Sequence, residues 1–98
     1  MTSARITVRH EPERSRFVAQ INDSNAEAVV EYRSLQGRTL EYYRTFTPVE
    51  LRGQGIAGQL VAEALDYALE NGYRVEPTCP FVAQVIKKNP KYADVLAV

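Results

Sequence analysis

The 98-residue sequence has a single cysteine, Cys79, and a single histidine, His10. A lone thiol excludes an internal disulfide framework, and with one imidazole beside it there are too few ligands for structural zinc. No metal is expected, and a reducing compartment is. Excess charge of either sign is missing as well, since twelve basic residues balance twelve acidic ones. Without a long-range field to draw in nucleic acid or an anionic membrane, any anion site must be local. Long apolar runs are also lacking. Nothing approaches the roughly 20 residues of a membrane span, and Met1-Thr2-Ser3-Ala4-Arg5 leads straight into alternating residues, without a signal peptide's apolar stretch. The expectation is a soluble cytoplasmic protein with neither nucleic acid nor membrane as a partner.

What is present suits one compact domain over residues 1–98. The chain is 45% hydrophobic, and a chain of this length buries roughly 60 to 70% of its unfolded surface.

The first half alternates with period two. Ile6 and Val8 stand against Thr7 and Arg9, and Phe17, Ala19 and Ile21 against Arg16 and Gln20, which predicts two strands joined by a polar hairpin turn over residues 10–15. After a turn at Asn22-Asp23-Ser24-Asn25, a third strand places Ala26, Ala28, Val30 and Tyr32 on one face. Residues 39–46 return as a fourth strand, with Glu41 and Tyr43 on one face and Arg44 on the other. From Ile56 the period changes. Ile56, Ala57, Leu60, Val61, Ala64, Leu65, Ala68 and Leu69 form the stripe of an amphipathic helix, closed by a left-handed cap at Asn71-Gly72. A short extended segment at Tyr73-Arg74-Val75-Glu76 precedes Pro77-Thr78-Cys79-Pro80, whose second proline suits the first position of another helix. Phe81, Val82, Val85 and Ile86 give that helix its buried side, and the tail after Pro90 makes one more helical turn. The fold class is α+β, mixed α/β: a four-stranded antiparallel meander, a helix, a fifth strand parallel to the fourth through the only crossover, and a C-terminal helix.

Glycines 53, 55 and 58 lie where strand gives way to helix. A helix start offers free N–H groups and a positive dipole end, and glycine keeps side chains out of a phosphate's way. The helix carries Glu63, Asp66 and Glu70 in its later turns, but no carboxylate falls between Gly53 and Ala62, and Arg52 flanks the start. Three phosphate motifs overlap here. Gly53 and Gly58 have P-loop spacing, but Gln59-Leu60 replaces the Lys-Ser/Thr pair. Gly53-x-Gly55-x-x-Gly58 fits a dinucleotide fingerprint, with Glu76 near the ribose-binding position, but a Rossmann strand is apolar and reaches the first glycine. Residues 39–46 contain Glu41 and Arg44, and six residues intervene.

The third motif is a family signature. Arg52, Gly55 and Ala57 fit the Arg/Gln-x-x-Gly-x-Gly/Ala pattern of the GCN5-related acetyltransferase superfamily. With Val29-Val30-Glu31-Tyr32, Thr45-Phe46-Thr47-Pro48 and Pro77-Thr78-Cys79-Pro80-Phe81-Val82, almost the whole chain resembles its small single-domain members, of YjdJ or NATD1 type. The resemblance implies a minimal GNAT-like fold that binds acetyl-CoA as co-substrate, with the pyrophosphate on Arg52, Gly53, Gln54, Gly55, Ile56 and Ala57, and Phe46 and Thr47 beside them. It implies a sheet that splays between strands four and five to admit the acyl-pantetheine arm, and acetyl transfer to an amine, whether of a small molecule or a protein. Two departures stand out. Arg44 occupies the place of a histidine usual in these proteins, and the two helices that larger relatives insert after the first strand are missing. The alternative implied is an acyl-CoA-binding module with little turnover, completed by a protein partner.

Candidate catalytic groups have plain structural readings beside them. Cys79, at a helix start, can carry an acyl group or protonate the departing thiolate; equally it suits a small core residue. Glu41 fits a base or a solvated sheet face, and Tyr92 a thiolate acid or a packing group for the tail. His10 reads as solvated turn surface. Lys87, Lys88 and Lys91 fit a 3′-phosphate site or a solvated helix end.

Overall fold

The computed structural model describes residues 6–21 and 25–96. The termini and Asn22, Asp23 and Ser24 of the second turn lie outside the described residues. Five strands form one sheet in the order β1 (Ile6–Glu11), β2 (Arg16–Ile21), β3 (Glu27–Leu35), β4 (Thr39–Phe46) and β5 (Arg74–Glu76). The first four pair antiparallel, and β5 joins β4 in parallel. That parallel step requires a crossover, which helix α1 (Ile56–Glu70) supplies. Helix α2 (Pro80–Lys88) and a 3-10 turn over Pro90–Val95 complete the chain, as expected from the sequence.

The apolar stripe of α1 buries Ile56, Leu60, Val61, Ala64, Leu65 and Ala68. Phe17, Ala19, Ala28, Val30 and Tyr42 from the strands, with Val82, Ile86, Tyr92 and Val95 from the C-terminal region, close the same core. The buried Tyr42 hydroxyl donates to the Ala64 carbonyl at 2.6 Å, so the polar end of this ring is satisfied inside the core. Helix α1 stops in a Schellman motif: Gly72 at φ +73° lets Tyr73 N–H reach the Ala68 carbonyl and its own N–H reach that of Leu69. Arg38 reaches across to the Asn71 carbonyl and steadies this end.

The opposite sheet face is laced with charge. Glu11, Arg16, Glu31 and Arg44 stand in one cross-strand row of alternating sign, with ion pairs Arg16–Glu11 at 2.6 Å and Arg44–Glu31 at 3.0 Å. The next row holds Arg9, Val18, Val29 and Phe46. Arg9 reaches past Val18 to Glu27 at 2.8 Å, and Val18 is wholly shielded from water.

Two expectations about the strands require correction. The first hairpin turn is shorter than residues 10–15: β1 runs through Glu11, and only Pro12–Arg14 turns, as a 3-10 helix. His10 therefore sits in a strand, half-buried, where it stacks on Phe17 at 4.2 Å and meets the Tyr32 hydroxyl at 2.6 Å. The second correction concerns β4. Opposite β3, Tyr32 pairs Tyr42 but Glu31 pairs Arg44, so Tyr43 is an extra residue in a β-bulge. The bulge resets the alternation. Glu41 and Arg44 lie on the same charged face, bonded to Arg33 and Glu31, whereas Thr45, opposite buried Val30, turns toward the core.

Candidate functional site

Beyond β4 the chain makes a 3-10 turn over Val49–Leu51 and then passes through two left-handed glycines, Gly53 at φ +81° and Gly55 at φ +75°. A side chain at either would be strained. Gly55 is the N-cap of α1, which has no side-chain cap and no acid in its first turn. The first hydrogen bond onto Gly55 O comes from Gln59 N–H at 3.2 Å. The N–H groups of Ile56, Ala57 and Gly58 precede that bond and have no partner within the helix. Here the positive end of a fifteen-residue helix is uncompensated, the condition for binding an anion.

Arg52 is exposed beside this opening and anchors itself by Nε to the Thr47 carbonyl at 2.9 Å. Gln54 turns back to the Glu50 carbonyl at 3.2 Å. A cavity of about 220 Å³ is lined by Thr47, Arg52, Gly53, Gly55, Ile56 and Ala57, among others. A second, of about 480 Å³, runs between α1 and α2 toward Gln84, Lys88 and Asn89. Gly55, Gly58 and Phe81 line both. Phe81, expected from its spacing on the buried side of α2, is instead exposed beside these cavities. The Phe46 ring stands on the charged face beneath the Arg44 guanidinium, so only its main chain is available to this site.

The sheet opens beside these cavities. Parallel pairing of β4 and β5 ends at Glu41 with Glu76, and one further bond joins Cys79 N–H to the Tyr42 carbonyl at 3.0 Å. Past it the chain turns into α2 while β4 continues to Phe46. Cys79 is the N-cap of α2 and is buried, its Sγ 3.1 Å from the Thr45 hydroxyl. Burial pushes this thiol's pKa up. The Thr45 hydroxyl and the main-chain N–H groups of Val82, Phe81 and Thr45 outweigh it, so the net shift is downward, although Sγ makes no regular cap bond. Thr45 is a partner that strict alternation along β4 would have pointed away.

The other candidates are held elsewhere. Glu41 accepts from the Thr78 hydroxyl at 2.7 Å and from Arg33 at 3.3 Å. The Thr78 bond, with Arg33 behind it, lowers its pKa below the usual carboxylate range, opposite to what a base at neutral pH needs. This pair clamps the exit of β5 onto β4. The Tyr92 hydroxyl lies against α1, 2.9 Å from Asp66 Oδ1 and 3.2 Å from the Ala62 carbonyl. Burial and the Asp66 carboxylate raise its pKa. Of the lysines, Lys88 lines the larger cavity and Lys91 pairs with Asp66 at 3.1 Å. Among the described residues, no group of three His, Cys, Asp or Glu side chains could hold a metal ion. Nor, among these residues, is any helix long and apolar enough to cross a membrane.

Comparison with known proteins agrees with this architecture. Residues 16–95 match the family model described as GCN5-related N-acetyl-transferase. The chain is 31% identical over 88 residues to Protein NATD1 of Danio rerio, covering 90% of this chain and 80% of that protein. It is 32% identical over 85 residues to Protein NATD1 of Homo sapiens, covering 87% and 75% respectively. A solution structure of a Staphylococcus aureus protein described as GCN5-like superposes with a TM-score of 0.68 at 26% identity, covering 98% of this chain and 90% of that one.

Proposed function

The chain belongs to the GCN5-related N-acetyltransferase family, and from that membership we propose that it binds acetyl-CoA and transfers the acetyl group to an amine. One observation carries the reading: the uncapped start of α1 opens into cavities that meet α2 just after its Cys79 N-cap. The pyrophosphate would lie on the N–H groups of Ile56, Ala57 and Gly58 with Arg52 alongside, and Lys88, which lines the larger cavity, would meet the 3′-phosphate. The pantetheine arm would pass Phe81 toward the gap beyond Tyr42.

In the direct route the neutral amine nitrogen attacks the thioester carbonyl and forms the C–N bond. The C–S bond then breaks, and the thiolate takes a proton from Cys79 or water while the nitrogen loses one to water. Cys79, held by Thr45, would serve as that donor.

A second reading has its own support. Glu41, Arg44 and Tyr92 are each tied to structural partners, so no carboxylate or imidazole of the described site is free to act as base. The chain would then be an acyl-CoA-binding module completed by a protein partner.

Calorimetric titration with coenzyme A tests the common part. Arg52→Glu is expected to weaken binding by at least about tenfold, since a charge-assisted contact is worth about 1.5–3 kcal/mol. Unchanged affinity would remove the pyrophosphate from this loop. Thiol release from acetyl-CoA across a panel of amines, with Cys79→Ala as control, separates enzyme from module.

A further inference from the structure

A third cavity lies at the other end of α1, between its later turns and the first hairpin. Its volume is about 260 Å³, and its lining includes the rings of His10, Phe17 and Tyr67 and the side chains of Glu63, Asp66 and Glu70. From Gly55 to Asp66 the helix rises roughly 16 Å at 1.5 Å per residue, so this cavity is separate from the glycine loop.

His10 and Tyr67 form a fixed wall, with Phe17 buried behind them. His10 stacks on Phe17 with centroids 4.2 Å apart, and Tyr67 meets His10 edge-on at 4.6 Å and Phe17 at 5.4 Å. The His10 imidazole is occupied by the Tyr32 hydroxyl at 2.6 Å, and burial lowers its pKa, so the wall is uncharged at neutral pH. The carboxylates repeat at intervals of three and four along α1, which sets them on one helix face. Asp66 is shared with Tyr92 and Lys91. Glu63 and Glu70 are exposed and have no ion-pair or hydrogen-bond partner among the described residues.

We propose that this cavity binds a small organic ammonium ion, its charge against the aromatic wall and balanced by Glu63 and Glu70. An aromatic face attracts a cation through its quadrupole, and a carboxylate rim adds to that attraction while rejecting anions. A metal ion does not fit, because no three ligating groups among the described residues stand close enough to hold one. The volume falls below the roughly 300 Å³ at which drug-sized pockets begin, which limits the ligand to a compact head group.

The test is an amide-resolved NMR titration of the whole chain with tetramethylammonium chloride. Sodium chloride at matched ionic strength and neopentyl alcohol, the uncharged analogue of similar shape, serve as controls. Saturable shifts at His10, Tyr67 and Glu70 with the ammonium ion alone are expected. The exposed double variant Glu63→Gln/Glu70→Gln should fold normally and bind about fivefold more weakly. Equal shifts from the alcohol or from sodium chloride, shifts that never saturate, or unchanged affinity in the double variant would each overturn the assignment. None of these readings depends on coenzyme A.

Discussion

Cys79 Sγ and Thr45 Oγ1 lie 3.1 Å apart across thirty-four residues of sequence, and a single extra residue in β4, Tyr43, makes the contact possible. Without the bulge, Thr45 would share the charged face with Glu41. The polarity of the one thiol is thus set by strand register.

Replacing Thr45 by valine keeps the side-chain shape and removes the hydroxyl. The pH profile of Cys79 alkylation should then move to higher pH. At pH 7 the rate should fall by about three- to tenfold, given that one hydrogen bond is worth about 1 kcal/mol. A profile that does not move would show that the helix N–H groups alone set the thiol.

Gly58 separates stability from binding. A Cβ there would meet nothing within 4 Å, and the residue lines both cavities beside α2. Gly58→Ala should raise stability by about 0.5–1 kcal/mol through helix propensity. Gly58→Leu should stay folded but lose at least about tenfold in coenzyme A affinity, because its side chain would fill space that the ligand needs. Calorimetry and thermal melting on the same samples read both effects, and a Leu variant that binds normally would place the ligand elsewhere.

Acid should weaken the fold in two windows. Burial holds His10 below its ordinary value of 6.5, so the unfolded chain binds that proton more readily. Stability from this group is full above pH 6.5 and is lost as pH falls through the folded value. Arg9 and Arg16 hold Glu11 below its ordinary 4.5, and Thr78, with Arg33, does the same for Glu41. Their contribution is present above pH 4.5 and drains at lower pH. Thermal midpoints measured from pH 8 to pH 3 should show both declines, and His10→Gln should abolish the upper one only. An upper decline that persists in the variant would assign it to another group.

Much of this architecture is legible in the residues. The alternation of Phe17, Ala19 and Ile21 marks β2, and the three-four spacing from Ile56 to Leu69 marks α1, because these patterns are the footprint of burial on one side. The glycine loop is legible for a different reason: glycine adopts the φ values of residues 53 and 55 without the strain a side chain would bring. The bulge is not legible. Tyr42 and Tyr43 are the same residue type, and nothing local says which one faces the core. His10 misleads because its neighbours Arg9, Glu11 and Glu13 are charged, whereas its environment comes from Phe17, Tyr32 and Tyr67, brought in by tertiary contact. The cavities between α1 and α2 depend on how two helices diverge, which periodicity does not encode.

The parallel pairing of β4 with β5 also orders events in time. Strands β1 to β4 join neighbours in sequence and can zip locally, but Thr39 pairs with Arg74 across the whole of α1. Loop-closure entropy predicts that this pairing forms last. During refolding, Cys79 should therefore become protected from alkylation later than the meander gains its β-sheet circular dichroism; simultaneous protection would contradict this order. The corollary is that the uncapped helix start and the thiol should come together only when β5 docks, so the cavities beside them should be absent from a half-folded chain.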